Sequence, residues 1–181
     1  MRIVVALDGS FLAEHALQAV APLAAQPGNE LLLVAVLNPN KVHETAAEWG
    51  HRVANEVDTA RLAIRGAVAE PPRAMIEDRG QALEAARMEA ENGMRDAVQR
   101  RLPEGFSVPV HVEWAEDPAE AIAKFAEAQK ADLVAVGAHG RSGVKQVLVG
   151  SVTAGLVRRS PVPLIVVGES MRPLGVAPAK A

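Results

Sequence analysis

One glycine-rich segment of this sequence holds residues whose types and spacing could bind an anion. Its glycines and serine follow the pattern Gly137-x2-Gly140-x9-Gly150-Ser151. Gly137 and Gly140 would let the backbone pass close to a ligand and turn its N–H groups toward a negative charge. Gly150 and Ser151 are predicted to open a helix, whose free N–H groups and positive dipole end favour phosphate. The segment therefore predicts a phosphate-binding loop followed by a helix N-terminus.

The charges around this segment agree with an anion site. There is no Asp or Glu between Asp132 and Glu169, although the whole chain has a net charge of -3. The same stretch contains four cations, which are Arg141, Lys145, Arg158 and Arg159. A local surplus of positive charge attracts anionic ligands. For Arg158 and Arg159 we favour a second explanation, because cations also complement the negative C-terminal end of a helix.

A second candidate segment is Asp8-Gly9-Ser10, which directly follows the first apolar run. The carboxylate of Asp8 could accept hydrogen bonds from a ribose hydroxyl or a base amine. Gly9 allows a tight turn from strand to helix, and Ser10 is a natural N-cap for that helix. An equally good explanation is that Asp8 only accepts hydrogen bonds from backbone N–H groups of the turn, and the residues alone leave both open.

Apolar runs alternate with amphipathic stretches along the chain, and these elements must position the two segments. The predicted strands are Arg2 to Leu7, Leu31 to Leu37, Val108 to Trp114, Leu133 to Val136 and Pro163 to Val167. Helices are predicted from Ser10, over the stripe Leu83 to Ala97, from Pro118 to Ala128 and from Ser151 to Arg159. Strands that are apolar throughout are typical of a parallel sheet covered on both faces. We therefore expect a doubly wound α/β fold with its ligand site beyond the carboxyl ends of the strands, where the winding reverses.

Length and composition predict one domain over residues 1–168, with an extended helical insertion at 41–79 and a flexible tail at 169–181. The chain has no cysteine, which excludes disulfides and thiolate metal sites. Its negative net charge argues against a general nucleic-acid binder. No apolar run reaches the ~18 residues of a membrane helix, and no secretory-type start is visible, so we expect a cytoplasmic protein that does not bind membranes.

Other catalytic and metal-binding patterns find no support. The five histidines, His15, His43, His51, His111 and His139, do not form a ligand cluster, so no metal site is predicted. There is no Gly-x-Ser-x-Gly elbow for acyl transfer, and the glycine loop lacks the Gly-Lys-Ser/Thr of a P-loop. Rapid phosphoryl transfer needs cations and a metal-holding acid that are missing here. The residues favour ligand binding over catalysis.

Three blocks of this sequence, in the right order, resemble the universal stress protein family. They are the run Val4 to Ser10, the turn Glu116 to Ile122, and the glycine-serine pattern between Asp132-Leu133-Val134 and the run Ser160 to Val167. The resemblance covers about Met1 to Asn40 and Gly80 to Gly168. Two features depart from the family: Ala115-Glu116 stands where a glycine often precedes the aspartate-proline turn, and the stretch 41–79 is longer. That stretch could be a lid, an extra dimer surface or a loose excursion.

The resemblance implies a five-stranded parallel sheet with helices on both faces, Rossmann-like and similar to the adenine nucleotide alpha hydrolases. In the ATP-binding branch of the family, the glycine-serine pattern holds the phosphates and the ribose, and an aspartate after strand one and a valine at the end of strand two flank the adenosine. The matching positions are Asp8, Val36, Val136, Gly137, Gly140, Gly150, Ser151 and Val152. The resemblance thus implies ATP as the ligand, with or without Mg²⁺.

The resemblance also implies a homodimer that pairs last strands, here Pro163 to Val167. Pro163 lacks an N–H group and must stand at the start of that strand. The implied function is a nucleotide-responsive regulatory module in stress adaptation, acting on an unidentified protein partner. Two alternatives remain: a slow ATPase on the same scaffold, and a nucleotide-free structural dimer. The complete glycine pattern places the structural dimer last.

Overall fold

A computed structural model describes residues 1–41, 79–138 and 149–168, which contain five strands and four helices. In chain order these are β1 (Arg2–Ala6), α1 (Phe11–Ala24), β2 (Glu30–Leu37), α2 (Arg79–Arg101), β3 (Val110–Trp114), α3 (Pro118–Ala128), β4 (Leu133–Gly137), α4 (Ser151–Arg159) and β5 (Leu164–Val167). The predicted insertion, most of the glycine loop and the predicted tail lie outside the described residues. Gly140, Arg141 and Lys145 are among the residues not described.

The five strands form one parallel sheet in the order β3-β2-β1-β4-β5. In the register, Val5 of β1 stands between Leu33 of β2 and Ala135 of β4. The chain winds outward from β1 to β3 in one direction and then continues from β4 to β5 on the other side. The winding therefore reverses between β1 and β4. The predicted doubly wound α/β fold is confirmed.

The sheet is buried between two helical layers, which explains why its strands are apolar throughout. One core joins Val5 and Leu33 of the sheet to Leu17 of α1 and Met94 of α2. The other core lies on the opposite face and joins β1, β2 and β4 to α3 and α4, with Val4, Val34, Val134, Ile122 and Leu156 among its residues. Successive strand residues point to opposite faces, so a strand covered on both sides has no polar face.

Local signals set the helix boundaries. The Oγ atom of Ser10 accepts a hydrogen bond of 3.1 Å from the backbone N–H of Ala13, as an N-cap does. Asp117 caps α3 by accepting from the N–H groups of Ala119 and Glu120 at 3.0 and 3.2 Å. These caps satisfy N–H groups that the first turn of a helix leaves without partners. Pro163 stands directly before β5, where its carbonyl oxygen accepts from the N–H of Val134 at 3.0 Å.

A buried ion-pair cluster joins α1 to α2. Glu14 is 5% exposed, and its carboxylate oxygens accept hydrogen bonds from Arg100 at 2.8 Å and Arg101 at 2.9 Å. Burial raises the pKa of Glu14, but the hydrogen bonds and positive charges of the two arginines outweigh burial and hold it below its ordinary value of 4.5. The guanidinium of Arg101 also lies 4.4 Å from the ring centre of Phe11. The start of α1 is therefore tied to the end of α2.

None of the helices within the described ranges combines the length and hydropathy that crossing a lipid bilayer requires.

Candidate functional site

A cavity of about 440 Å³ opens at the carboxyl ends of β1, β2 and β4, at the point where the winding reverses. Ligands of open α/β sheets bind in such crevices. Seven of the eight predicted site residues line this cavity, namely Asp8, Val36, Val136, Gly137, Gly150, Ser151 and Val152. The eighth, Gly140, lies outside the described residues. The fold thus brings together residues that are up to 144 positions apart in the chain, from Asp8 to Val152.

A second groove, of about 720 Å³, runs beside β3 and α3, away from the reversal of the winding. Its lining includes the acidic side chains of Glu113, Glu116 and Glu120, with Lys124 as the single lysine. Clustered carboxylates repel anions. Of these two spaces, only the cavity at the strand ends lies where the winding reverses and has a described lining without clustered carboxylates.

The turn Asp8-Gly9-Ser10 places a carboxylate at the cavity wall. One oxygen of Asp8 accepts a hydrogen bond of 2.7 Å from the backbone N–H of Ser10. Gly9 has a φ of 79°, a left-handed conformation that favours glycine. One oxygen of Asp8 therefore accepts a hydrogen bond within the turn, as one of the two explanations predicted. The residue also lines the cavity, as the other predicted. The two explanations left open by the sequence are compatible, because a carboxylate has two acceptor oxygens.

The start of α4 differs from the starts of α1 and α3. Its N-cap residue is Gly150, and no side chain of the described residues caps the helix there. The N–H of Gly150 donates to the carbonyl oxygen of Ala138 at 2.7 Å, so the amides that could meet a ligand begin at Ser151. Uncapped N–H groups together with the positive dipole end form an anion-binding arrangement. The structure confirms the prediction that a helix begins at Ser151.

Gly137 has a role that the sequence argument did not foresee. A Cβ atom on Gly137 would lie 3.2 Å from both the Cα of Ala13 and the carbonyl oxygen of Leu12. These are backbone atoms of the first turn of α1, and such a distance is tighter than an ordinary carbon contact. The glycine therefore lets the end of β4 approach α1. This close approach of backbone to backbone is a packing requirement, whereas the sequence argument had assigned the glycine to contact with a ligand.

Seven further lining residues were not predicted from the sequence, and Lys41, Ile122 and Thr153 are among them. Thr153 is 2% exposed, and its hydroxyl donates to the carbonyl oxygen of Gly137 at 2.8 Å. The sequence does carry one signal for this bond, which is a threonine in the first turn of a helix that follows a strand. Lys41 lines the cavity from the turn after β2, where its backbone N–H donates to the carbonyl oxygen of Asn38 at 3.0 Å. No sequence signal marked it, because its place depends on how β2 packs beside β1.

The two arginines at the end of α4 lie outside the lining of the 440 Å³ cavity. Both are in the last turn of the helix, where cations complement its negative end, as we favoured for them. Arg159 also pairs with Asp117 at 2.5 Å. The pKa of Asp117 lies below its ordinary value because the backbone N–H of Glu120 and the guanidinium of Arg159 stabilise its charged form.

Each histidine of the described ranges lies beside a phenylalanine ring, in an edge-on or tilted arrangement. His15 lies edge-on to Phe11 at 4.9 Å between ring centres, and His111 lies 5.0 Å from Phe125. Within residues 1–41, 79–138 and 149–168, no three His, Asp or Glu side chains lie close enough together to hold a metal ion.

The strand order and the cavity at the reversal of the winding define a doubly wound, Rossmann-like α/β protein. The sequence profile of the universal stress protein family matches residues 1–168, and the chain belongs to that family. Universal stress protein MJ0531 of Methanocaldococcus jannaschii is 36% identical over 69 residues, which are 38% of this chain and 41% of that protein. The chain spans less than half the length of the curated relatives it matches.

Solved structures share the fold over nearly the whole chain. The structure of protein MJ0577 of the same archaeon is similar with a TM-score of 0.66 and 23% identity, covering 94% of this chain and 97% of that one. A universal stress protein of Archaeoglobus fulgidus, solved in complex with dAMP, is similar with a TM-score of 0.52 and 20% identity, covering 92% and 97%. At sequence identities of 20–23%, the similarity of these structures to this chain shows a shared fold.

Proposed function

We propose that this protein binds ATP in the cavity at the strand ends and acts as a nucleotide-responsive regulatory module. The observation that carries the proposal is the convergence of an uncapped helix start and a carboxylate on one cavity between β1 and β4. Its volume of about 440 Å³ lies within the usual range for small-molecule sites. The dAMP complex of the Archaeoglobus relative supports an adenine nucleotide as the ligand.

The lining suggests how the nucleotide would lie. The N–H groups of Ser151 and Val152 would donate to phosphate oxygens, and the hydroxyl of Ser151 would add another donor. The free oxygen of Asp8 would accept from a ribose hydroxyl. The apolar side chains of Val36 and Val136 would flank the base. Mg²⁺ would be held mainly by the phosphates and water, as is usual for this ion.

Binding is better supported than hydrolysis. Asp8 is the one carboxylate in the described part of the lining, and one of its oxygens is already engaged by Ser10. Rapid phosphoryl transfer requires cations and metal ligands around the transferring group. The slow ATPase stays as the second candidate because Asp8 and Lys41 both reach the cavity wall. It predicts Mg²⁺-dependent phosphate release that persists through repurification and disappears in Asp8→Asn.

We also propose that two copies pair through the last strand, Pro163 to Val167. Among the described residues β5 pairs only with β4, so it forms one edge of the sheet. Val166 on this edge is 41% exposed. An apolar edge strand is a template for pairing with another chain. The single domain over 1–168, the cytoplasmic location and the protein partner stay predictions.

Calorimetric titration with ATP tests the proposed site. We expect a roughly micromolar dissociation constant for the parent, which corresponds to a binding free energy of about -8 kcal/mol. Gly150→Val should weaken binding at least about tenfold, because its branched side chain would stand where phosphate must approach the start of α4. Gly140→Val should also weaken ATP binding at least about tenfold, because the glycine-serine pattern that contains Gly140 is proposed to bind the phosphates. Gly168→Val is the matched control, since nothing lies within 4 Å of a Cβ atom there.

Two results would contradict the proposal. The first is a parent protein that shows no heat of binding with ATP and carries no adenine nucleotide in native mass spectrometry, which would favour the structural dimer. The second is equal ATP affinity in Gly150→Val and the parent. Circular dichroism of each variant would confirm that the fold is intact before affinities are compared.

A further inference from the structure

Helices α3 and α4 approach each other unusually closely at Gly155. A Cβ atom on Gly155 would lie 2.5 Å from the Cβ of Ala119. Carbon atoms in ordinary contact are about 3.5–4.0 Å apart, so no residue with a side chain fits at this position without movement. Ala119 is 3% exposed, so the contact lies in a largely buried region. The separation of the two helices therefore depends on the missing side chain of Gly155.

The same two helices form one wall of the candidate site. Pro118 and Ile122 of α3 line the cavity, and so do Ser151 and Val152 in the first turn of α4. Ser151 stands four residues before Gly155, which places both on one face of α4. Both residues also line a smaller cleft of about 310 Å³ beside the start of α3. Any shift of α4 away from Ala119 would therefore carry the uncapped N–H groups with it.

The surroundings of α4 leave little freedom to absorb an added methyl group. Neither glycine nor alanine has a side-chain rotamer that could turn aside. Thr153 ties the first turn to β4 through its bond to Gly137, and the fully buried Leu156 anchors the next turn in the core. At the far end, Arg159 pairs with Asp117. Since interiors are closely packed, an overlap at Gly155 has to move the helix itself.

We propose that Gly155 is a positioning residue: its missing side chain lets α4 seat against Ala119 and so places the Ser151 and Val152 amides where a phosphate can meet them. The inference rests on the proposed binding of ATP. This role is distinct from a contribution to general stability, because an overlap that only destabilised the fold would weaken the binding of ATP and of adenosine alike. The overlap acts on the position of the helix start, which contacts the phosphates and not the base.

The test compares ATP with adenosine, which lacks the phosphates. In Gly155→Ala we expect ATP affinity to fall about tenfold while adenosine affinity stays within about twofold, since displacement of donors by 1 Å is costly for the groups they contact. The double variant Gly155→Ala with Ala119→Gly removes the overlapping methyl from the other helix. It should restore ATP affinity to within about threefold of the parent. Gly168→Ala is the matched control and should bind both ligands as the parent does.

The outcomes separate this inference from the proposed function. If the parent binds neither ATP nor adenosine, the proposed function fails, and the inference fails with it. If the parent binds ATP but Gly155→Ala binds it equally well, or loses ATP and adenosine equally, only the positioning role is overturned. Should Gly155→Ala not fold, the double variant Gly155→Ala with Ala119→Gly still tests the inference, because it keeps the alanine and removes the overlap. ATP affinity close to that of the parent would then support the inference, and loss of ATP affinity alone in the folded double variant would overturn it.

Discussion

The hydroxyl of Thr153 donates a buried hydrogen bond of 2.8 Å to the carbonyl oxygen of Gly137. This bond joins the first turn of α4 to the last residue of β4. A Cβ atom on Gly137 would in turn lie 3.2 Å from backbone atoms of Leu12 and Ala13, so an added side chain would crowd the start of α1. Two residues, sixteen positions apart, therefore hold together three elements that surround the candidate site.

Thr153→Val tests this bond, because valine has nearly the same shape but no hydroxyl. We expect the free energy of unfolding in urea to fall by about 1–3 kcal/mol, the usual cost of removing one partner from a buried hydrogen bond. Thr153→Ser keeps the hydroxyl and loses one methyl group. It should retain more stability than the valine variant. The reverse order would show that packing of the methyl group, and not the hydrogen bond, anchors α4.

Gly137→Ala tests the close approach of β4 to α1. The added Cβ would lie 3.2 Å from backbone atoms that cannot rotate away. We expect a loss of about 1–3 kcal/mol in unfolding free energy, the usual range for overpacking. Gly168→Ala, where a Cβ meets nothing within 4 Å, should change it by less than about 0.5 kcal/mol. A Gly137→Ala protein as stable as the control would mean that α1 shifts freely and that packing does not require the glycine.

Glu14 predicts a pH dependence of stability. Its folded pKa lies below 4.5 because Arg100 and Arg101 outweigh the effect of burial. A carboxyl with a lowered folded pKa contributes stability that is complete above its unfolded pKa and is lost as the pH falls through the folded value. At about pH 7, Glu14→Gln should be less stable than the parent by about 1–3 kcal/mol, discounted for the partial exposure of the arginines.

Chemical unfolding of both proteins across a pH series is the measurement. The difference between parent and Glu14→Gln should be constant from about pH 7 to the unfolded pKa near 4.5 and should shrink below it. If the difference in unfolding free energy between the two proteins does not change with pH, the charge of the Glu14 carboxylate does not stabilise the junction of α1 and α2. The cost of Glu14→Gln would then come from the poorer fit of the amide.

Val166→Lys tests the proposed pairing through β5. Lysine on an exposed edge strand opposes pairing with another chain. Sedimentation equilibrium should show a parent dimer whose dissociation constant rises at least about tenfold in the variant. Met88→Lys is the control, since Met88 is 56% exposed on α2 and away from β5. A variant that dimerises as the parent does would place the interface elsewhere.

Residues close together in the chain made much of the fold predictable. The predicted bounds of α3 and α4 agree with the structure, because Asp117-Pro118 and Gly150-Ser151 are local start signals. β3 begins at Val110, two residues later than the apolar run suggested, since Pro109 before it has no N–H to pair. The sequence predicted that α1 starts near Ser10 but not which of its residues are buried, and its deeply buried side begins at Ala13. That helix packs on both the sheet and α2, and single-helix periodicity does not show the second neighbour.

The candidate site was predictable where a motif marked it and not where packing created it. Asp8 and Ser151 stand beside turn and cap signals that can be read in isolation. Lys41 carries no such signal, and it reaches the cavity because β2 lies next to β1. From the sequence, Gly137 was predicted to contact the ligand. No neighbouring residue in the chain indicates that α1 would lie where a Cβ atom of Gly137 would be.

The sequence by itself determined the alternation of strands and helices, the parallel sheet and an uncapped helix start after β4. Hydrophobic periodicity and helix capping depend on residues only a few positions apart, so they can be recognised in the sequence alone. Tertiary structure alone decided that Glu14 meets Arg100 across 86 positions and that Gly155 rests on Ala119. Such contacts depend on the distance and angle between packed elements, which close packing of the whole core sets and no local pattern encodes.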